Sequence, residues 1–390
     1  MEEWKEYKLG EVCTELSDGL HKAPKFKIGG EYIFVNAKNI ANGFIVDNDP
    51  TKKSTYEEFL KYASPLNDTT VLYSIDGTIG NVALYRGEKC ILGKGACYMN
   101  PNPTVLDRMF LYYELHSPRF KSYIDRMSTG STIKHISLKT MRGYTFTCPP
   151  VEIQKQISSV LQSLDDKIEI NRRINDNLEK QGQALFEEYV MNLNKPRTQL
   201  LSDYALINPT RTIAKGRAAR CIEMSSLPTK GTFPSDWTFK EYNGGMKFRN
   251  GDTIMARITP CLENGKTAYI NFLDENEVAF GSTEYIVLSA HEGFCSELLY
   301  FLARYDDFVS YAVSHMNGSS GRQRVSGNDI ANYVMPEISN ETMDVVSEKL
   351  HGIMEVIKNN SLESRRLAEI RDALLPRLMS GDFKLEEVNM

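Results

Sequence analysis

Two short stretches combine hydroxyl residues, glycine and cations in a pattern that suits contact with a phosphate-bearing polymer. "STGSTIKH" (128–135) sets Thr129 and Ser131 beside Lys134 and His135, and "NGSSGRQR" (317–324) sets Ser319 beside Arg322, Gln323 and Arg324. Small residues let a backbone approach phosphate, while arginine can take guanine O6 and N7, and glutamine adenine N6 and N7, in paired hydrogen bonds. A solvated turn has the same composition, so the loops are candidates as units. A third candidate is "DGLHKAPKFKIGGEYIFVNAKNI" (18–40), where Lys22, Lys25 and Lys27 crowd before a strand-like run and Asn36, Lys38 and Asn39 follow it. Phosphate contact is expected of the lysines and base reading of Asn36 or Asn39. Arg211, Arg217, Arg220 and Arg257 are the corresponding candidates in the second half, which lacks the "DGLH" run.

Catalytic constellations are harder to find. "GEKCILGKG" (87–95) spaces its glycines one residue too far apart for a phosphate loop and places Gly95 where Ser or Thr would bind magnesium, so it reads as a turn. "NPNP" (100–103) lacks the adjacent prolines and stacking aromatic of an adenine-methylase box. Six histidines show no Ser-His-Asp order and no metal-ligand spacing. Neither catalytic nor metal-binding residues are assigned.

The elements that must position the loops are more legible. From Ile153 the residues Ile157, Leu161, Leu164, Ile168, Asn171, Asn175, Leu178, Gly182, Leu185 and Tyr189 follow a strict 4-3 spacing, the seam of a coiled coil. Pro149-Pro150 suits its start and Lys195-Pro196 its end, so about 42 residues would span roughly 60 Å. The same spacing returns in Val346, Leu350, Ile353, Ile357, Asn360, Ser364, Leu367, Arg371, Leu374 and Leu378, each 189 residues after its counterpart (360 − 171 = 189). Polar interruptions coincide, Asn171 with Asn360 and Asn175 with Ser364. A buried seam asparagine costs stability but fixes register, because one alignment alone gives it a partner. The shared defect predicts that the helices pair with each other; the alternative is that each stripe packs on its neighbouring domain.

At nearly the same offset "FLYYELHSPRF" (110–120) matches "LLYFLARYDDF" (298–308), and "EYIFVNAKNI" (31–40) matches "AARCIEMSSL" (218–227). The strand-like "TVLYSIDGTIGNVALY" (70–85) matches "DTIMARITPCLENGKTAYI" (252–270), and the two cation-bearing loops match each other. The expected fold is mixed α/β (α+β): a globular domain and a long helix, occurring twice. The boundaries are 1–149 for the first domain, 150–195 for the first helix, 196–336 for the second domain, 337–380 for the second helix and 381–390 for a tail. An antiparallel coiled coil would give the chain a pseudo-twofold axis and make the helices a ruler between two related domains. Duplex DNA, read in two places by dimeric proteins, is the target that such a ruler suits.

The sequence resembles the specificity subunit of Type I restriction-modification enzymes over its whole length. The resemblance rests on "WKEYKLGEV", on "STGSTIKHISLKTMRGYTFTCPPVEIQKQISSVLQSLDDKIEINRRINDNLEKQGQALF", and on "RDALLPRLMSGDF" after the second helix. It implies that each globular domain is a target recognition domain for one half of a split asymmetric DNA site, and that the helices set the gap and dock two modification subunits. It implies further that S-adenosylmethionine and adenine-N6 methylation belong to those partners, ATP and Mg²⁺ to restriction subunits, and no catalysis to this chain. The helix face carrying Asp165, Asp166, Glu169, Arg172 and Arg173 is a candidate docking surface.

Composition is compatible with this reading. The net charge of −5 is unevenly spread: Lys+Arg against Asp+Glu is 19 to 17 over 1–150 and 14 to 15 over 197–336, but 6 to 8 and 7 to 11 in the helical segments. Each globular segment is therefore near neutral and able to carry a local basic face. The N-terminus lacks a signal-peptide layout and long apolar runs are missing, which predicts a cytoplasmic protein. Seven scattered cysteines read as free, mostly buried thiols.

Overall fold

The computed structural model describes residues 4–49, 51–128, 134–192, 197–319 and 321–381. By its contacts the chain divides into two units, Met1–Asp166 with Leu367–Met390, and Lys167–Arg366. Each long helix contributes a segment to each unit.

In the first unit the strands Cys13–Asp18, Ala96–Pro101, Val71–Ser74 and Val82–Leu84 form an antiparallel sheet in that order. Alternate residues of Val71–Ser74 enter different cores, because successive strand side chains point to opposite faces. Val71 and Tyr73 join Phe110, Phe120 and Leu161, whereas Leu72 joins Val35, Ile40 and Tyr98. Helices Arg108–His116 and Pro118–Met127 supply the first core. The second face meets Tyr32–Val35, which pairs in parallel with Cys90–Leu92. Burial on both faces is why these strands read as continuous apolar runs instead of alternating ones.

The second unit repeats this plan. Strands Ala205–Ile207, Tyr285–Ala290, Asp252–Ala256 and Thr267–Tyr269 follow the same order, with Ala218–Ile222 parallel to Ala279–Gly281 in the companion sheet. Met255 and Ile286 point toward helix Ser296–Arg304, and Ile254 and Val287 toward Ile222 and Phe248. Both domains thus share the order of the four-stranded sheet and the parallel strand pair, and the second adds Lys247–Phe248 to its companion sheet.

The first long helix runs Val151–Phe186 and loosens into a π-turn over Glu187–Met191; the second runs Asn340–Ser380. At the position matching Glu187 (376 − 189 = 187) the second helix holds Pro376, whose missing N–H removes one helical bond. Gln154, fully buried, fixes the first turn by accepting from Asp107 N and donating to the Val105 and Pro149 carbonyls.

Helix pairing is antiparallel in both units. In the first, Arg371 Nη1 meets Asp165 Oδ1 at 2.7 Å, and Tyr113 donates to the other carboxylate oxygen at 2.8 Å. In the second, buried Asn171 donates through Nδ2 to Glu363 Oε2 at 2.7 Å and to Ser364 Oγ and the Asn360 carbonyl at 3.3 Å. Asn175 donates to Ser361 Oγ at 3.1 Å and accepts from Asn360 Nδ2 at 2.9 Å. The polar layer therefore lies between the helices, as the shared interruptions predict.

Toward the ends the seam behaves differently from a continuous coiled coil. Ile157, Leu161 and Leu378 of the seam, with Leu375 beside it, enter the first domain's core, and Val346, Leu350 and Ile357 of the seam, with Phe186 and Val190 beside it, enter the second's. The stripe packs on the domains wherever they flank the helices, because a helix beside a globular core buries its apolar face there. Gly182 shows the result: a Cβ at this seam position would stand 2.2 Å from Phe301 Cζ of its own unit.

Candidate nucleic-acid interface

In the first domain the chain leaves strand Val71–Ser74 in a turn that packs beside the cation-bearing loop. Ile136 N donates to the Ile75 carbonyl at 2.9 Å, Gly77 N to the Lys134 carbonyl at 3.2 Å, and Asp76 forms a β-bridge with His135. Ile75 N in turn reaches the carbonyl of Gly95 at 3.0 Å. The Gly93-Lys94-Gly95 turn joins Cys90–Leu92 to Ala96–Pro101, strands of different sheets. No helix follows it, so the phosphate-loop reading of this stretch fails on geometry as well as spacing.

The "DGLHK" stretch closes on the same turn. Leu20 accepts from Lys94 N at 2.8 Å, and a Cβ on Gly19 would stand 2.1 Å from the Leu92 carbonyl oxygen. Asn36 Oδ1 lies where a Gly93 Cβ would meet it at 2.3 Å. Asp76 is thereby placed 3.8 Å from Lys94 Nζ and 4.0 Å from His135 Nδ1. Asn36, Lys134 and His135 are brought to one place, and Lys22 follows Leu20 by two residues. Sequence reasoning missed Asp76, and it missed Lys94 although it weighed the "GKG" containing it.

Lys25 and Lys27 lie on an exposed, well-anchored loop. Lys27 N donates to the Lys53 carbonyl at 2.8 Å, and Ser54 Oγ to the Lys25 carbonyl at 2.9 Å. Among the described residues, the ammonium groups of Lys22, Lys25 and Lys27 have no ion-pair partner. Lys38 instead faces Asp49 at 3.4 Å, and hydrogen bonds from Thr51 and Lys52 hold that carboxyl well below the usual carboxylate range. Asn39 is 2% exposed; its Oδ1 accepts from Asn36 N, and its Nδ2 donates to the Val46 carbonyl and Asn48. With every polar atom engaged inside a turn, Asn39 is not presented to a ligand.

The second domain builds the corresponding place from different side chains. Arg257 follows strand Asp252–Ala256; its N donates to the Glu284 carbonyl at 3.0 Å, and its carbonyl accepts from Val325 N at 3.0 Å. Thr259 N reaches the Gln323 carbonyl at 3.1 Å, and Ile258 bridges Arg324. Arg324 grips Glu284 through Nη2 at 2.6 Å and Nε at 2.9 Å, bonds that pull the Glu284 carboxyl below its ordinary value. Its Nη1 donates to the Arg322 carbonyl at 3.0 Å. Arg322 and Ser319 are exposed, and Gln323 is half-buried.

Arg211 and Arg220 are engaged elsewhere. Arg211, with a side chain 9% exposed, bonds Asp252 at 2.7 Å and Ser289 at 3.0 Å. Arg220 reaches Asp274 and Glu277 at 3.3 Å and lies 5.7 Å from the Trp237 ring centroid. Both have their guanidinium engaged by carboxylates of their own domain and lie mostly covered, which removes them from the candidate surface; Arg217 is exposed on a separate turn. Thr129 and Ser131 lie outside the described residues. On the helix face, Glu169 binds Arg172 and Arg173 internally, and Asp165 is taken by Arg371.

All seven cysteines are free, and five are buried. Among the described residues no helix is long and apolar enough to cross a membrane, and no group of three potential metal ligands occurs.

Residues 1–180 match the Type I restriction modification DNA specificity domain. The HindI specificity subunit of Haemophilus influenzae is 21% identical, with 98% of this chain and 100% of that protein covered. The MjaIX specificity subunit of Methanocaldococcus jannaschii is 24% identical over 99% of this chain and 95% of its own. A crystal structure of the Type I restriction-modification S subunit from M. genitalium superimposes with a TM-score of 0.56 at 17% identity, covering 97% of this chain and 96% of that one, and so shares the fold. With its first domain and most of the first long helix matched by that specificity domain, and nearly its whole length aligned to such proteins, this chain is similar to the specificity subunits of Type I restriction enzymes.

Proposed function

We propose that the chain is a non-catalytic DNA-recognition subunit whose two domains each read one half of a split, asymmetric site. The observation that carries this reading is the repeated site: in both domains a cation-bearing loop is hydrogen-bonded to the turn after the central strand, on one backbone plan with different side chains. Two domains alike in frame and unlike in surface suit a target whose halves differ. The long helices set the gap and dock two modification subunits, and restriction subunits join that assembly. S-adenosylmethionine and ATP with Mg²⁺ are held by those partners, and the complex works in the cytoplasm.

Footprinting of the chain assembled with its modification subunits tests the proposal. Two protected half-sites separated by an unprotected gap are expected, with a steep fall in affinity as salt rises. One contiguous protected site overturns it, as does methyl transfer or cleavage by the chain alone with Mg²⁺ and S-adenosylmethionine.

A further inference from the structure

The two interfaces are equivalent bond for bond. Ile75 N to Gly95 O corresponds to Arg257 N to Glu284 O, both at 3.0 Å. Ile136 N to Ile75 O corresponds to Val325 N to Arg257 O, and Gly77 N to Lys134 O corresponds to Thr259 N to Gln323 O. The bridge Asp76–His135 corresponds to Ile258–Arg324. One backbone frame thus holds Ile75, Asp76, Gly95, Lys134 and His135 in the first domain, where Ile75 and Gly95 are buried and the other three reach the surface, and Arg257, Ile258, Glu284, Gln323 and Arg324 in the second, all half-buried. Four of the five positions change chemical class while the frame stays fixed, and the fifth keeps a basic residue, His135 against Arg324. A surface kept only for stability or solubility has no need of that pattern, whereas a reading head that changes its letters without changing its grip does.

Within the second set the arginines are not equivalent. Arg324 has Nε and Nη2 on Glu284 and Nη1 on the Arg322 carbonyl, so its donors are occupied. Arg257 is half-buried, its Nε is shielded from solvent without a hydrogen-bond partner, and its side chain makes no hydrogen bond or ion pair among the described residues. The nearby Glu284 is already gripped by Arg324. An Nε–H shielded from water without a hydrogen-bond partner costs free energy that a ligand can return. The Arg257 backbone is pinned on both sides, by Glu284 and Val325, which fixes where the side chain leaves the frame.

We infer that the solvent-reaching residues of this frame, Asp76, Lys134 and His135 in the first domain and the five of the second, determine specificity, and that Arg257 reads a guanine through O6 and N7 in the half-site of the second domain. The inference rests on the DNA-recognition reading above and deepens it. A bidentate guanidinium–guanine contact is the commonest specific pairing in the major groove, and glutamine in its place favours adenine. The first domain holds Ile75 at this position, so its half-site lacks that contact and is read by Asp76, Lys134 and His135.

The test uses the full chain assembled with its modification subunits and maps methylated sites across a library randomised in both half-sites. Arg257→Ala is expected to relax one G·C position by roughly ten- to a hundredfold in one half-site, leaving the other half-site and the gap unchanged. Arg257→Gln should shift that position toward adenine, and Arg257→Lys, which keeps charge and bulk, should lose discrimination while the complex still assembles. Uniformly weaker binding with an unchanged motif would mean a phosphate contact and overturns the assignment. So does a change in both half-sites. If the unmodified chain yields no bipartite motif, it is the DNA-recognition reading that fails, a result distinct from either of these.

Discussion

Asn360 donates through Nδ2 to Oδ1 of Asn175 at 2.9 Å, and its counterpart Asn171 donates to Ser364, the counterpart of Asn175, at 3.3 Å. The two bonds exchange when each residue is replaced by its partner 189 positions away, so the polar layer has a local twofold character. Asn171 also keeps a buried Oδ1 without a hydrogen-bond partner, a cost that a purely stabilising residue would not carry. Replacing Asn171 and Asn360 together by leucine is therefore expected to raise the urea midpoint while the pairing loses its single register. Methylated motifs with more than one gap length would be the functional readout. A variant with one unchanged gap removes the register role.

A buried ion pair in the first domain has no counterpart in the second. Glu114 is fully buried and accepts from Arg119 Nε at 2.7 Å and Nη2 at 2.6 Å, and from Tyr144. Burial pushes its carboxyl up, and Arg119 and Tyr144 pull it back. At the matching place the second domain has Leu302, 1% exposed. Arg119→Met should cost about 3–5 kcal/mol by stranding the carboxylate, and Glu114→Leu with Arg119→Met should recover most of it. Protonation relieves the stranded charge, so the single variant should gain stability relative to wild type as pH falls. Chemical denaturation at two pH values checks both statements; a double variant as unstable as the single one contradicts them.

The pH response of the first long helix has the opposite sign. Hydrogen bonds from Arg172 and then Arg173, both 2.8 Å, lower the Glu169 carboxyl from 4.5 to about 2. A depressed folded-state value contributes stability above the unfolded value and loses it as pH falls through the folded one. The stability difference between wild type and Glu169→Gln should therefore be constant near neutrality and shrink below about pH 4.5. Both arginine partners are mostly exposed, so the amplitude is small and screened by salt. A difference that stays constant down to pH 3 would remove the pair's contribution.

Periodicity is what made the helices legible: a 4-3 repeat with coincident polar breaks carries its own register, and the polar layer follows from it. Gly182 marks the limit of that signal. Its spacing places it in the seam, but the ring that fills its missing side chain belongs to Phe301, 119 residues away (301 − 182 = 119), and only the folded domain brings them together. The candidate cations divide for the same reason. Arg211 and Arg220 look like surface arginines until Asp252 and Asp274, 41 and 54 residues later, are folded against them. Asp76 and Glu284 escaped notice because an acid beside a basic loop carries no local signature of DNA reading; their meaning comes from the strands that deliver them.

The exposed lysines and the buried arginines should separate in one experiment. The ammonium groups of Lys22, Lys25 and Lys27 lack ion-pair partners among the described residues, and Glu58, which accepts from the backbone of Lys25, keeps that bond and its pair with Lys61 when the side chains are removed. Replacing all three by alanine should leave the thermal midpoint nearly unchanged, weaken DNA binding across all sequences, and reduce the slope of log affinity against log salt by up to about 0.9 per lost phosphate contact. Arg211→Ala strands Asp252, 1% exposed at its side chain and pushed up by burial, and should lower stability by about 3–5 kcal/mol. In the fraction that folds, the salt slope should be unaltered. If instead the lysine variant keeps the full salt slope, phosphate contact belongs to another face of the domain, and the anchored 25–30 loop serves something other than the DNA backbone.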